Sequence, residues 1–145
     1  MKNNKGFSLL ELLIVVAIIL IIATIAIPSL LRSRQAANES AAVATLRTLN
    51  TAEVTYASAA AGGSVYGTIA QLVSVGLADS SLMTGKAGYN YTITVSGNGL
   101  DYTAVAAATS GTTGRYDYYT TPDYVIRYSI ATTRAPLGLA GEPVR

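Results

Sequence analysis

The stretch KGFSLLELLIVVAIILIIATIAIPSLLRSR, residues 5–34, is an almost uninterrupted apolar run with one acidic residue, Glu11, close to its start. From Leu12 to Leu31 the only polar side chains are Thr24 and Ser29. Roughly twenty helical residues span about 30 Å, which is the thickness of a bilayer's hydrocarbon core. A strand in lipid must belong to a closed barrel, whereas a helix satisfies its own backbone. The run therefore predicts one helix that crosses or inserts into a membrane.

Charges on the two flanks of this run bear on its orientation. Lys2 and Lys5 precede it, and the first ten residues contain no acid. Basic residues are retained on the cytoplasmic side of a membrane, so the N-terminus is expected there. Arg32 and Arg34 on the opposite flank weaken this argument.

The composition excludes several classes of function. Half of the 145 residues are hydrophobic and 12% are charged, which argues against a disordered chain. Without the two N-terminal lysines the basic and acidic residues balance, so no nucleic-acid surface is expected. The absence of cysteine and histidine removes disulfides, thiolate metal sites and the commonest general base. We expect no enzyme activity, no catalytic residue, no metal site and no cofactor.

Residues 32–61 continue the helix with an Ala-rich composition, and Gly62-Gly63 is expected to end it. One apolar stripe recurs at helical spacing and is predicted to pack beneath a sheet: Val43, Leu46, Leu49, Tyr56 and Ala60. The charged residues of this half are predicted to be solvated or to form ion pairs between subunits: Arg32, Arg34, Glu39, Arg47 and Glu53.

Residues 62–145 predict a small β-rich head. A short helix is expected over 68–77, because Thr68 and Gln71 have the spacing of a capping box and Gly76 follows. Residues 88–95 alternate with the period of a strand, and residues 100–108 return as a second strand after a Gly-rich turn. A second hairpin is predicted over 115–130. The expected fold is α+β: a long helix packed on an antiparallel sheet of about four strands.

Tyrosines are concentrated in the second predicted hairpin. Sheet packing accounts for most of them, and a surface or intersubunit patch is the alternative. The residues concerned are Tyr116, Tyr118, Tyr119, Tyr124 and Tyr128.

The hexapeptide Gly6-Phe7-Ser8-Leu9-Leu10-Glu11, after a short basic leader and before a long apolar helix with Pro28, resembles the processing site of type IV prepilins. The resemblance implies that a prepilin peptidase/methyltransferase removes residues 1–6 between Gly6 and Phe7 and methylates the new amino group of Phe7. It also implies a homo-oligomeric helical filament, built by a pilus assembly machinery from subunits first held in the inner membrane.

This resemblance gives a physical reason for an acid at the end of an apolar rod. Cleavage would create an ammonium group on Phe7, and an unpaired carboxylate taken out of water is very costly. Pairing Glu11 of one subunit with the Phe7 amine of its neighbour would offset that cost. The two groups can meet at only one axial displacement between the helices of neighbouring subunits. Glu11 and Phe7 are therefore predicted to set the register of assembly.

Pro28 is predicted to break or kink the helix, because proline lacks the backbone donor and clashes with the preceding turn. A kink or a locally extended segment is expected over 23–28. By the resemblance, this segment can lose helicity in an assembled fibre. A proline simply tolerated in a membrane helix is the alternative.

Four acids of the head raise the possibility of a Ca²⁺ site, since some related pseudopilins bind the ion in this region: Asp101, Asp117, Asp123 and Glu142. Their spacing matches no dense oxygen loop, so strand and turn positions are the preferred interpretation.

The sequence is thus divided into a leader (1–6), a hydrophobic helix for membrane and filament core (7–31), an amphipathic half (32–61) and the head (62–145). The expected function is that of a structural type IV pilus subunit, with adhesion, motility or DNA uptake as roles, moving from the inner membrane to an extracellular filament. The alternatives are a type II secretion pseudopilin in a periplasmic piston, and a monomeric membrane-anchored binding module.

Overall fold

A computed structural model of the chain describes residues 6–60, 65–129 and 141–144. Most of the predicted leader and the Gly62-Gly63 helix end lie outside these residues. The chain forms two units, Met1–Arg34 and Gln35–Arg145. The long helix α1, Leu9–Thr55, contributes to both, and a π-helical turn, Tyr56–Ala60, follows it.

Two hydrogen bonds that involve the side chains of Ser8 and Glu11 cap the N-terminus of helix α1. The backbone N–H of Ser8 donates to Glu11 Oε2 at 2.9 Å, and the N–H of Leu10 donates to Ser8 Oγ at 3.3 Å. Ser8 thus occupies the capping position and Glu11 the third helical position, as in a capping box. The spacing Ser-x-x-Glu explains why the helix begins where it does.

Pro28 lies inside α1, and residues 23–28 are helical. The structure therefore has no extended segment over 23–28, and a kink at Pro28 stays a prediction. One proline removes one backbone donor, while the neighbouring turns keep theirs. Thr24 and Ser33 also donate their hydroxyls to the carbonyls of Ile21 and Ser29, which keeps side-chain polar groups bonded within the helix.

In the second unit, α1 packs its buried face against the sheet and its neighbouring loops. Val43, Leu46 and Leu49 are buried as predicted, and Tyr56 packs against the same core. Ala42 and Ala52 complete this face. Small and large aliphatic residues at spacings of three and four build the contact surface of the helix.

A short helix α2, Ile69–Ser74, follows, with the predicted capping box. The N–H of Thr68 donates to Gln71 Oε1 at 2.8 Å, and the N–H of Gln71 donates to Thr68 Oγ1 at 3.4 Å. A 3₁₀ turn, Ser80–Met83, was not predicted; Asp79 caps it by accepting the N–H of Ser81 at 2.8 Å.

The described residues form a five-stranded antiparallel sheet in the order β1-β2-β3-β4-β5. The strands are β1 Tyr89–Val95, β2 Tyr102–Ala108, β3 Asp117–Thr120, β4 Arg127–Ser129 and β5 Glu142–Pro143. The α+β fold is confirmed. The prediction of about four strands missed β5, because a two-residue strand has no sequence pattern of its own and exists only by pairing with β4.

Candidate assembly and processing site

Gly6 and Phe7 precede the helix in non-helical conformation, and the Phe7 side chain is 91% exposed. A Cβ added to Gly6 would meet no atom within 4 Å. The described residues thus place no steric requirement on position 6.

Glu11 is exposed and its carboxylate bonds to the N–H of Ser8 in the same turn. A carboxylate in the first turn of a helix also lies favourably in the field of the backbone dipoles. This local role was not predicted from the sequence, although Ser8 and Glu11 have the same capping-box spacing as Thr68 and Gln71. Glu11 therefore has an intrachain function besides any it has in assembly.

The apolar side chains of the first unit are exposed to solvent along the whole run. This stretch of α1 is long and apolar enough to cross a membrane by length and composition. Monomeric soluble proteins rarely expose so large an apolar surface, because its hydration is unfavourable. The surface requires lipid or other protein chains to cover it. Among its most exposed large members are Leu9, Leu10, Leu12, Leu13, Ile21 and Ile25.

The five predicted patch tyrosines do not form one surface. Tyr118 and Tyr119 are buried on opposite faces of β3, since successive strand residues point to opposite sides. Tyr119 lies against Gly141, where an added Cβ would come within 2.9 Å of its hydroxyl. Tyr124 is exposed with a φ of 60°. Only Tyr116, Tyr118 and Tyr128 come together, with ring centroids 5.1 and 6.4 Å apart for the pairs that include Tyr128.

Two glutamates that were predicted to lie away from the buried stripe are buried in it. Glu39 is 8% exposed, and its Oε1 accepts the N–H of Arg115 at 2.8 Å and Arg115 Nε at 3.4 Å. This correction has a physical reason: Glu39 supplies an acceptor for a backbone N–H of the loop before β3. A buried polar group is tolerated where it is hydrogen-bonded.

Glu53 is fully buried, and its Oε2 accepts the N–H of Gly67 at 2.9 Å. Its Oε1 has no hydrogen-bond partner within the part of the chain that the structure describes. Desolvation raises the pKa of the Glu53 carboxyl, and the hydrogen bond from Gly67 opposes this only in part. Glu39 and Glu53 lie four residues before Val43 and seven residues after Leu46, which are helical spacings that place them on the same face as these buried residues.

A buried polar chain joins α1 to the sheet beside Glu53. The Tyr102 hydroxyl donates to Asn50 Oδ1 at 2.9 Å, and Asn50 Nδ2 donates to Thr120 Oγ1 at 3.0 Å. Burial raises the pKa of the Tyr102 phenol, so the hydroxyl keeps its proton and remains a donor. These bonds fix the register of the helix over β2 and β3.

Within the described residues, no group of three metal-ligating side chains is present. Three of the four acids considered for Ca²⁺ have other bonds. Asp117 Oδ1 accepts the N–H of Ala108, Asp123 pairs with Arg127, and Glu142 Oε2 accepts the Tyr128 hydroxyl at 2.8 Å. The pairing with Arg127 lowers the pKa of the Asp123 carboxyl.

Comparison with known proteins adds three findings. The sequence model described as the Prokaryotic N-terminal methylation motif matches residues 1–27. The chain is 54% identical over 46 residues to the Type IV wide pilus major component PilA4 of Thermus thermophilus, a match that covers 32% of this chain and 35% of that protein. It is 46% identical over 54 residues to the Type IV major pilin protein PilA of Myxococcus xanthus, covering 37% of this chain and 24% of that protein.

The matched part thus spans about a third or less of the length of these curated relatives. No solved structure matches the chain.

Proposed function

We propose that the chain is a member of the type IV pilin family and a structural subunit of a type IV pilus filament, which the matches of its N-terminal third to the methylation motif and to two curated pilins support. The single observation that carries the proposal is the exposed apolar surface of α1 with a carboxylate at its start. Such a surface is removed from water in a bilayer, and it is also removed from water against the same surface of other subunits. One helix therefore serves as membrane anchor before assembly and as filament core afterwards.

Processing between Gly6 and Phe7 is the first step of this proposal. The absence of atoms around the Gly6 Cβ position and the exposure of Phe7 leave this bond accessible to a peptidase. Cleavage would convert the Phe7 amide nitrogen to an α-amino group, which the same enzyme would methylate. The new positive charge would lie one helical turn from Glu11.

Assembly register is the second step. Glu11 is exposed and its only hydrogen bond among the described residues is to the Ser8 N–H, so the carboxylate has free acceptor capacity. The Phe7 amine of a neighbouring subunit is the partner that would use it. Without that partner a charge would be buried alone in the filament core, which costs several kcal/mol. The precursor would reside in the inner membrane and the product in an extracellular fibre.

Fibres sheared from cells test the proposal. We expect this chain as their main protein, with Phe7 at its N-terminus and a mass increase of one methyl group. A chain confined to short periplasmic assemblies would instead identify a pseudopilin. A monomer that stays in the membrane with residues 1–6 attached would contradict the filament proposal.

A further inference from the structure

Two arginines follow directly on the apolar stretch of α1, and both side chains are exposed: Arg32 and Arg34. Among the described residues their guanidinium groups make no ion pair and no hydrogen bond, in contrast to that of Arg115, which pairs with Glu39. Basic residues are favoured on the cytoplasmic side of a membrane helix, so cations at its C-terminal end do not serve its orientation. These two groups are available to an anion from outside the chain.

The length of the apolar stretch places both arginines at a membrane surface. Residues 12–31 carry no charged side chain and continue α1 for about 30 Å, the thickness of a bilayer's hydrocarbon core. With Glu11 at one surface, Arg32 and Arg34 therefore reach the headgroup layer of the other. A guanidinium group left in hydrocarbon would be costly, whereas an arginine stem can lie along apolar surface while its charge stays at the polar boundary.

The directions of the two side chains favour a lipid over a protein as the source of the anion. Positions 32 and 34 lie about 200° apart around the helix axis, so one face of another protein can contact only one of them. Headgroups surround a membrane helix on all sides and can contact both. The apolar stretch is likewise exposed all round, since residues 18–22 are each more than half exposed. It therefore has no single docking face.

Phospholipid phosphate is the anion that fits this position. A guanidinium group stays protonated and binds phosphate oxygens through two parallel N–H donors. Lipids with a net negative charge attract arginines near the membrane surface, whereas a zwitterionic lipid carries its own cation beside the phosphate.

We propose that Arg32 and Arg34 bind the phosphate groups of anionic phospholipids in the leaflet at the C-terminal end of the apolar stretch. This contact holds the subunit at a fixed depth in the membrane before assembly. The inference rests on the proposed membrane-anchored precursor and names its lipid partner.

The test uses the full chain in vesicles with equal amounts of phosphatidylglycerol and phosphatidylcholine. The salt concentration is about 0.15 M, which screens long-range attraction between exposed charges. Native mass spectrometry of the released chain counts the retained lipids of each kind. We expect a preference for phosphatidylglycerol that falls about fivefold in the double variant Arg32→Gln/Arg34→Gln. Arg32→Lys/Arg34→Lys keeps the charge without the two-donor geometry, and its preference should lie between the two.

Arg47→Gln is the matched control, because Arg47 is an exposed arginine farther along the same helix and should not reach the headgroups. It should keep the wild-type preference. Lys2 and Lys5 are present in every variant, so differences between variants report the arginines alone.

An unchanged preference in the double variant would overturn the proposal and assign the arginines to acidic groups of a protein partner. Displacement of the retained lipid by inorganic phosphate would also overturn it, since the site would then take free phosphate. A chain that enters the vesicles without preferring phosphatidylglycerol contradicts this inference and leaves the pilus proposal standing. A chain that enters no vesicles contradicts both.

Discussion

The Glu11 carboxylate accepts a hydrogen bond from the backbone N–H of Ser8 at 2.9 Å and so helps to cap the N-terminus of α1. The same carboxylate also places a negative charge at this end of the apolar helix. A glutamine at this position can make the same hydrogen bond, because its side-chain oxygen is an equivalent acceptor. The capping role of Glu11 and its proposed pairing with a neighbouring subunit can therefore be separated by substitution.

The first prediction compares Glu11→Gln with Glu11→Ala. Glutamine retains the cap and loses the charge, while alanine loses both; the loss of a cap costs about 1 kcal/mol. If charge sets the register, both variants are cleaved and inserted normally, yet both reduce the yield of sheared fibres by at least about tenfold, since a lone buried amine costs several kcal/mol. A fibre yield for Glu11→Gln near that of the wild type would show that the cap, and not the charge, is what assembly needs.

The second prediction concerns Gly6→Leu. Because an added Cβ at Gly6 meets nothing within 4 Å, the change should leave the thermal unfolding midpoint of the chain unaltered. The bulky side chain should crowd the scissile bond in the peptidase, so the uncleaved precursor accumulates. Mass spectrometry of the N-terminus checks this. Gly6→Ala, the smallest increase in bulk, is the graded control, and normal maturation of Gly6→Leu would overturn the processing assignment.

The third prediction is a pH dependence from Glu53. Burial raises the pKa of the Glu53 carboxyl above its ordinary value of about 4.5, so the folded state binds the proton more tightly than the unfolded state. The contribution of Glu53 to the free energy of unfolding is therefore most favourable below about pH 4.5. This contribution is lost as the pH rises through the folded pKa. Glu53→Gln removes the cost of the buried charge and keeps an acceptor for the Gly67 N–H.

Thermal unfolding followed from pH 4 to 8 measures this effect. We expect Glu53→Gln to be more stable than the wild type by about 1–2 kcal/mol at pH 7 and by much less at pH 4. The exposed Asp101→Asn should show no such trend. A constant difference between Glu53→Gln and wild type across the pH range would contradict the linkage.

The fourth prediction addresses the bonds between Asn50, Tyr102 and Thr120. Asn50→Ala leaves two buried hydroxyls without this partner and should cost about 2–4 kcal/mol of unfolding free energy. Tyr102→Phe removes one hydroxyl and should cost about 1 kcal/mol. In the double variant the loss should be smaller than the sum, because the orphaned phenol is gone. Strict additivity in denaturant unfolding would show that the two groups are not coupled.

Much of this fold could be predicted because its signals are local. The apolar run predicts α1, the Thr68–Gln71 spacing predicts the cap of α2, and the alternation over residues 88–95 predicts β1, since each depends on residues close in sequence. The methylation motif at residues 1–27 is local in the same sense. Pro28 is a local signal of another kind: the helix continues through it, because one missing backbone donor leaves the hydrogen bonds of the neighbouring turns intact.

The sequence by itself determined that this chain has an apolar rod with an acid at its start and a β-rich head, because hydrophobic pattern and turn chemistry act within a few residues. The tertiary structure alone decided which backbone groups Glu39 and Glu53 bond to, and that Glu142 and Pro143 form a strand beside Arg127 and Tyr128. Those outcomes depend on partners 14 to 76 residues away, such as Gly67 for Glu53 and Arg115 for Glu39. The identity of a side chain does not specify which distant backbone N–H will donate a hydrogen bond to it.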